Sequence, residues 1–230
     1  MKKTNNILGF ALSMGLMVLF SACQKDSAVV PETSLKPNGT TAVVISPGQT
    51  KSLVGPNTKG TLTLTTGNLY QLRNFTQGTV TAPADSTQWA NVASTYYYSF
   101  ANNDGSSSSG AYDFIFTGSA NGNLTVNTTN YTLYYIDQAF DNVTSFSVSS
   151  ATTVSSGVLG YNRTGTPGWY NYNITTHIVT PVTNRTIIIE NNTTGTTYKL
   201  RINSIYKDGS PDTTFAPTDY PYYSIDYKLL

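Results

Sequence analysis

The segment from Arg185 to Tyr206, RTIIIENNTTGTTYKLRINSIY, admits little besides a β-hairpin. A β-branched run leads to Glu190, the polar stretch Asn191-Asn192-Thr193-Thr194-Gly195 can turn, and an alternating run from Thr197 to Tyr206 returns. In that second run Tyr198, Leu200 and Ile202 fall on one face and Lys199, Arg201 and Asn203 on the other, because successive strand side chains point to opposite sides. The pattern predicts a core face holding Ile187, Ile189, Leu200 and Ile202, with a solvent face opposite.

The same texture continues from residue 59 to the end, with no stretch of helical periodicity. Leu62 and Leu64 alternate with threonines, Val92 to Phe100 ends in Ser99-Phe100 after three tyrosines, and Tyr112 to Phe116 is apolar enough for burial on both faces. Asn121-Gly122, between Phe116 and Leu124, predicts a two-residue hairpin turn. Asn102 to Gly110, NNDGSSSSG, reads as a flexible connection. No repeat appears at solenoid or propeller periods. The expected fold class is all-β, a single antiparallel-rich β domain over residues 59–230.

The N-terminus has a different character. Lys2 and Lys3 precede an apolar run from Ile7 to Phe20, then Ser21-Ala22-Cys23, the order of an export signal that is too short for a comfortable membrane span. The placement of the chain's one cysteine after two small residues resembles a bacterial lipobox, with residues 1–22 as signal peptide and Cys23 as the acylated new N-terminus. Residues 23–58 are rich in Ser, Thr, Pro, Lys and Gly and read as a lipid-anchored flexible tether, to which Val43-Val44-Ile45 adds a candidate strand. Gln24-Lys25-Asp26 partly resembles the surface-export signal of Bacteroidota lipoproteins, and Asp26-Ser27-Ala28 their O-glycosylation triplet. The expected location is the outer membrane, lipid-anchored, at the cell surface.

Composition removes several functions. Loss of Lys2 and Lys3 takes two of the 13 basic side chains and leaves the 12 acidic ones, so the mature chain is close to neutral and lacks the clustered basic surface nucleic acid requires. With the cysteine acylated there is no disulfide, and packing and ladder hydrogen bonds must hold the domain. The only glutamates are Glu32 and Glu190, and Glu32 lies in the tether, so a glycosidase pair would need an aspartate. No nucleophile, base and orienting acid stand in a recognisable arrangement. The expectation is a binding protein and not an enzyme, with no catalytic residues.

The order of YYYSF, YDFIF, an Asn-rich turn, GWYNYNITTHIVTPV, RTIIIE, GTTYKLRINSIY and TTFAPTDYPYYSIDYKLL resembles the HmuY-like family of Bacteroidota lipoproteins. The resemblance covers roughly residues 59–230, most closely from Gly168 onward, with Asp113 where that family has a Trp-Asp pair and Tyr112 in place of the tryptophan. It implies an all-β, lipid-anchored protein that captures haem or a related tetrapyrrole without chemistry of its own, and an outer-membrane receptor is a candidate partner. Founding members hold the iron between two histidines or a histidine and a methionine. This chain has one histidine, and its methionines, Met1, Met14 and Met17, all leave with the signal, so one chain cannot assemble that ligation.

Tyrosinate is the remaining iron ligand, with Tyr131, Tyr134, Tyr135 and Tyr161 the nearest candidates. His177 has no His, Cys, Asp or Glu within ten residues, which argues against a metal site and for a structural role, donating to a backbone carbonyl at the Thr175-Thr176 turn. Trp169 and Tyr170 are adjacent, so alternation sends at least one of Trp169, Tyr170 and Tyr172 away from the core, where it can line a pocket. Exposed aromatics beside Asn and Thr also suit sugar rings, which keeps a glycan-binding or adhesion module as the alternative. Acylation supplies most of the expected anchoring, so Cys23→Ala should leave the membrane pellet on fractionation. A mutant that stays in the pellet contradicts the lipobox reading.

Overall fold

The predicted hairpin forms, and it lies inside the larger of two β-sheets. The structure is a computed structural model describing residues 43–78, 94–211 and 221–230. Cys23, the signal segment and the tether up to residue 42 lie outside the described residues. In chain order the strands are β1 (Gln49–Ser52), β2 (Thr58–Leu64), β3 (Tyr70–Gln77), β4 (Tyr96–Ser99), β5 (Asp104–Gly105), β6 (Phe114–Thr117), β7 (Asn123–Thr125) and β8 (Tyr131–Asp137). They continue as β9 (Thr152–Thr153), β10 (Val158–Tyr161), β11 (Gly168–Asn173), β12 (Ile178–Pro181), β13 (Arg185–Asn191), β14 (Thr197–Ser204) and β15 (Tyr223–Leu229). Helical structure among these residues is confined to short 3-10 turns.

The larger sheet runs β1-β2-β3-β15-β14-β13-β8-β9 and the smaller β12-β11-β10-β7-β6-β4-β5. Every pairing is antiparallel except β10 with β11. The domain is therefore all-β and antiparallel-rich. The sheets pack through aromatic side chains, and Phe116 of β6 stacks on Tyr223 of β15 with ring centroids 3.5 Å apart and planes 8° apart. Tyr98 of β4 meets Tyr227 of β15 edge-on at 5.9 Å. Both tyrosines are buried, so their hydroxyls need partners. Tyr227 donates to Asn103 Oδ1 at 3.0 Å, which leaves Tyr98 as the donor in the 2.8 Å contact between the two hydroxyls.

In the hairpin, Ile187 pairs with Leu200 and Ile189 with Tyr198, and Ile187, Ile189, Leu200 and Ile202 all enter the main core. The opposite face is not the wet face predicted. Ile188 and Lys199 are buried there too, and residues 140–143 cross over Lys199. The Lys199 ammonium donates to the carbonyls of Phe140 and Val143, each at 2.7 Å, and lies 4.6 Å from the Phe140 ring centroid. A lysine stem can cover apolar surface while its head is satisfied by carbonyls. Burial draws its pKa down, with repulsion from Lys228 acting in the same direction.

Three other sequence expectations change. The ordered domain begins by Val43 rather than at residue 59, since β1 pairs with β2 from Gln49↔Leu64 to Ser52↔Thr61. All four β1 side chains are exposed, so the strand is held by its backbone ladder and leaves no apolar pattern to read. Val43 forms no strand; it is buried and its N–H donates to the Asn102 carbonyl at 2.9 Å. The Asn102–Gly110 stretch is not a loose connection, because β5 forms within it around a fully buried Asp104. Asp104 accepts the amides of Val54 at 2.9 Å and Gly105 at 2.6 Å, and a Cβ at Gly55 would meet the Gly105 carbonyl at 2.2 Å. Finally, the β6–β7 hairpin turns through Gly118–Gly122 rather than two residues, with Thr117 paired to Asn123 and Ala120 and Asn121 both at positive φ. Within β6, Phe114 and Phe116 are buried while Ile115 is half-buried, so burial alternates instead of covering both faces.

Leu200 has no exposure at the centre of this packing. Leu200→Ala should cost about 2 to 5 kcal/mol in a chemical-denaturation measurement. A loss under about 0.5 kcal/mol would mean that the site behaves as surface.

Candidate functional site

The stretch from Gly168 to Val182 builds the β11–β12 hairpin at one end of the smaller sheet, with Tyr170 opposite Pro181 and Tyr172 opposite Val179. β10 joins β11 in parallel through only residues 162–167, and a Cβ at Gly168 would lie 2.1 Å from the Gly160 carbonyl. Only glycine permits that approach. The register slips between Gly160↔Gly168 and Tyr161↔Tyr170, so Trp169 is an extra residue in a bulge.

This bulge sets where the adjacent Trp169 and Tyr170 point. Trp169 is buried and its indole N–H donates to the Gly122 carbonyl at 2.7 Å, while the Tyr170 hydroxyl lies 3.0 Å from where a Gly122 Cβ would stand. Both rings reach the same glycine, with centroids 4.8 Å apart. Trp169 is a core residue and Tyr170 is half-buried against the core.

Tyr161, Tyr170, Tyr172 and His177 come together beside it. Tyr161 stacks on Tyr170 at 5.7 Å with planes 27° apart and meets Tyr172 edge-on at 6.3 Å. Tyr161 keeps 40% of its surface exposed, and Ile174 at the hairpin tip keeps 73%. Burial raises the pKa of Tyr170, with the neighbouring phenols of Tyr161 and Tyr172 adding to it, and burial raises that of Tyr172.

His177 closes the hairpin loop. Asn173 Oδ1 accepts the amides of Thr175 at 2.9 Å and Thr176 at 3.0 Å, and the Asn173 carbonyl accepts the His177 amide at 2.7 Å. This winds His177 to φ 58°, a left-handed conformation that costs a non-glycine residue about 1 kcal/mol. The ring then reaches Tyr172, with Nδ1 2.6 Å from the hydroxyl. The expected carbonyl of the Thr175-Thr176 turn is thus replaced by a phenol.

The other tyrosine candidates stand elsewhere, on β8 of the larger sheet. Tyr131 donates to Asp113 Oδ1 at 2.9 Å, and Tyr134 donates to Glu190 Oε2 at 2.8 Å. Tyr135 lies under the Arg185 guanidinium, 4.4 Å from it. Arg185 grips Asp137 with two nitrogens, at 2.7 and 2.9 Å, and donates to the Gly168 carbonyl at 2.6 Å and Asn162 Oδ1 at 3.0 Å. It thereby ties the larger sheet to the loop that positions Tyr161. Sequence reasoning missed Arg185, the Asn162–Asn171 amide pair at 3.1 Å, and Tyr206, whose hydroxyl accepts the Val179 amide at 2.7 Å. Only Tyr206 left a signal, as the aromatic end of the long hairpin.

Among the described residues no group of three or more His, Cys, Asp or Glu side chains is placed to hold a metal ion. A cleft of about 230 Å³ lies between the Pro181–Arg185 turn and Arg201–Asn203, and Tyr161, Tyr170, Tyr172 and His177 are not among its lining residues. No family model, curated protein or solved structure matches this chain.

Asp113 links the Tyr131 hydroxyl to the Phe100 amide, which it accepts at 2.6 Å. Burial holds its carboxyl above the usual carboxylate range, against the lowering effect of both hydrogen bonds. The folded state therefore retains this proton more tightly than the unfolded chain, so the contribution to stability is full below about pH 4 and is lost as pH rises through the folded-state pKa. Denaturation midpoints measured from pH 3 upward should show the wild type losing stability relative to Asp113→Asn. Parallel curves for the two proteins would refute that assignment.

Proposed function

We propose that this chain is a lipid-anchored binding protein of the outer membrane, displayed at the cell surface and HmuY-like in kind, which captures haem or a related tetrapyrrole on the tyrosine platform of β10 to β12. The observation that carries the reading is the convergence of Tyr161, Tyr170 and Tyr172 around an exposed ring face, with the apolar tip Ile174 on the same hairpin. Flat ligands stack on such faces, and the bulge and the Arg185 contacts hold the rings in place before any ligand arrives. Iron bound here would be held by oxygen rather than by two imidazoles, since His177 is the only histidine. Haem would supply the iron, and the protein its orientation and shielding.

Binding without catalysis agrees with how several carboxylates are used. Asp226 is held by Arg73 and Arg201, Asp104 by backbone amides, and Glu190 by Tyr134. A second reading, capture of a glycan, is favoured by the exposed amide of Asn171, held by Asn162, which can hydrogen-bond sugar hydroxyls beside a stacked ring.

A haem titration of the mature chain should produce a saturable Soret shift. Tyr161→Ala should weaken it about tenfold, the loss of one stacking contact, and leave stability within about 0.5 kcal/mol because the ring is half outside. No Soret change, together with Tyr161-dependent binding of a neutral oligosaccharide, would replace haem with glycan.

A further inference from the structure

We propose that Tyr172 is the side chain that takes the ferric iron of a bound tetrapyrrole, and that His177 is the positioning residue that orients its hydroxyl; this rests on the platform reading above. The Tyr172 hydroxyl lies 2.6 Å from His177 Nδ1. A phenol oxygen that bound iron as phenolate would give up its proton, and Nδ1 of His177 is the hydrogen-bonded acceptor within reach. The phenolate and imidazolium together carry the same net charge as the phenol and imidazole they replace. A phenolate is a hard anionic donor, which suits ferric rather than ferrous iron.

The other candidate tyrosines are poorly placed for this. The hydroxyls of Tyr131 and Tyr134 donate to Asp113 and Glu190, and a phenolate there would face a carboxylate. The Tyr206 oxygen accepts the Val179 amide. Tyr98 and Tyr227 are fully buried between the sheets. Tyr172 alone among the described tyrosines meets the imidazole, and exposed Tyr161 stands edge-on beside it at 6.3 Å.

The loop conformation brings the His177 ring to the phenol. His177 occupies a left-handed position at φ 58°, where glycine or asparagine fits at lower cost. Turn formation does not require histidine there. What histidine adds is the ring that reaches Tyr172.

The test uses the mature chain with two probes, ferric haem and metal-free protoporphyrin. Wild type should bind both and show a phenolate-to-iron charge-transfer band with ferric haem that disappears on reduction. Tyr172→Phe should abolish the band and weaken ferric haem by about tenfold or more while metal-free porphyrin binds as before. His177→Asn, which keeps a residue tolerant of the left-handed conformation and should preserve the denaturation midpoint, should shift the band and weaken ferric haem by a smaller factor. An unchanged ferric spectrum in Tyr172→Phe overturns the assignment and leaves the platform standing. Failure of wild type to bind either probe overturns both.

Discussion

The strand β15 is the surface against which the two sheets are registered. Tyr223, Ile225 and Tyr227 are all buried, and Tyr223 and Tyr227 meet Phe116 and Tyr98 of the opposing sheet. A phenol buried with an unmatched hydroxyl loses about 1 to 3 kcal/mol, whereas phenylalanine would tolerate small slips. The Tyr98–Tyr227–Asn103 chain of hydrogen bonds therefore fixes where β4 and the Asn103 turn sit, and Tyr223, donating to the Asn121 carbonyl, does the same for the β6–β7 turn. In a domain without a disulfide, these polar ends of aromatic side chains supply directional restraint within an otherwise apolar interior.

What could be read from the sequence was local. The Arg185–Tyr206 hairpin was legible because alternation and a turn-forming tract lie within one short segment, and the core residues Ile187, Ile189, Leu200 and Ile202 followed from parity. Contacts between distant segments were not legible. The burial of Lys199 depends on residues 140–143 arriving from elsewhere, and the order of Asn102–Gly110 depends on Asp104 meeting the amide of Val54. The tyrosines showed the same division. Tyr161 and Tyr172 meet through a bulge and a six-residue parallel link, neither of which leaves a periodic trace, while Tyr131, Tyr134 and Tyr135 share a strand yet serve three separate contacts.

The proposed platform draws its rigidity from polar contacts outside it. Arg185 reaches from β13 to Asp137, Gly168 and Asn162, so the loop that follows Tyr161 is fastened to the larger sheet. Tyr206 at the end of β14 accepts the Val179 amide of β12 and holds the other side of the hairpin. Rings fixed in this way lose little rotamer entropy on meeting a ligand.

That contact with Val179 also bears on how the molecule behaves in company. Its amide is on the outer strand of the smaller sheet, and with Pro181 ending that strand, the Tyr206 hydroxyl removes a donor that another chain could use for pairing. The remaining sheet margins are similarly uninviting: β5 and β9 are two residues long, and β1 is four residues long and carries Lys51. Neighbouring copies crowded together thus find few templates for strand addition, and the fold resists fibre-like polymerisation through its sheet edges.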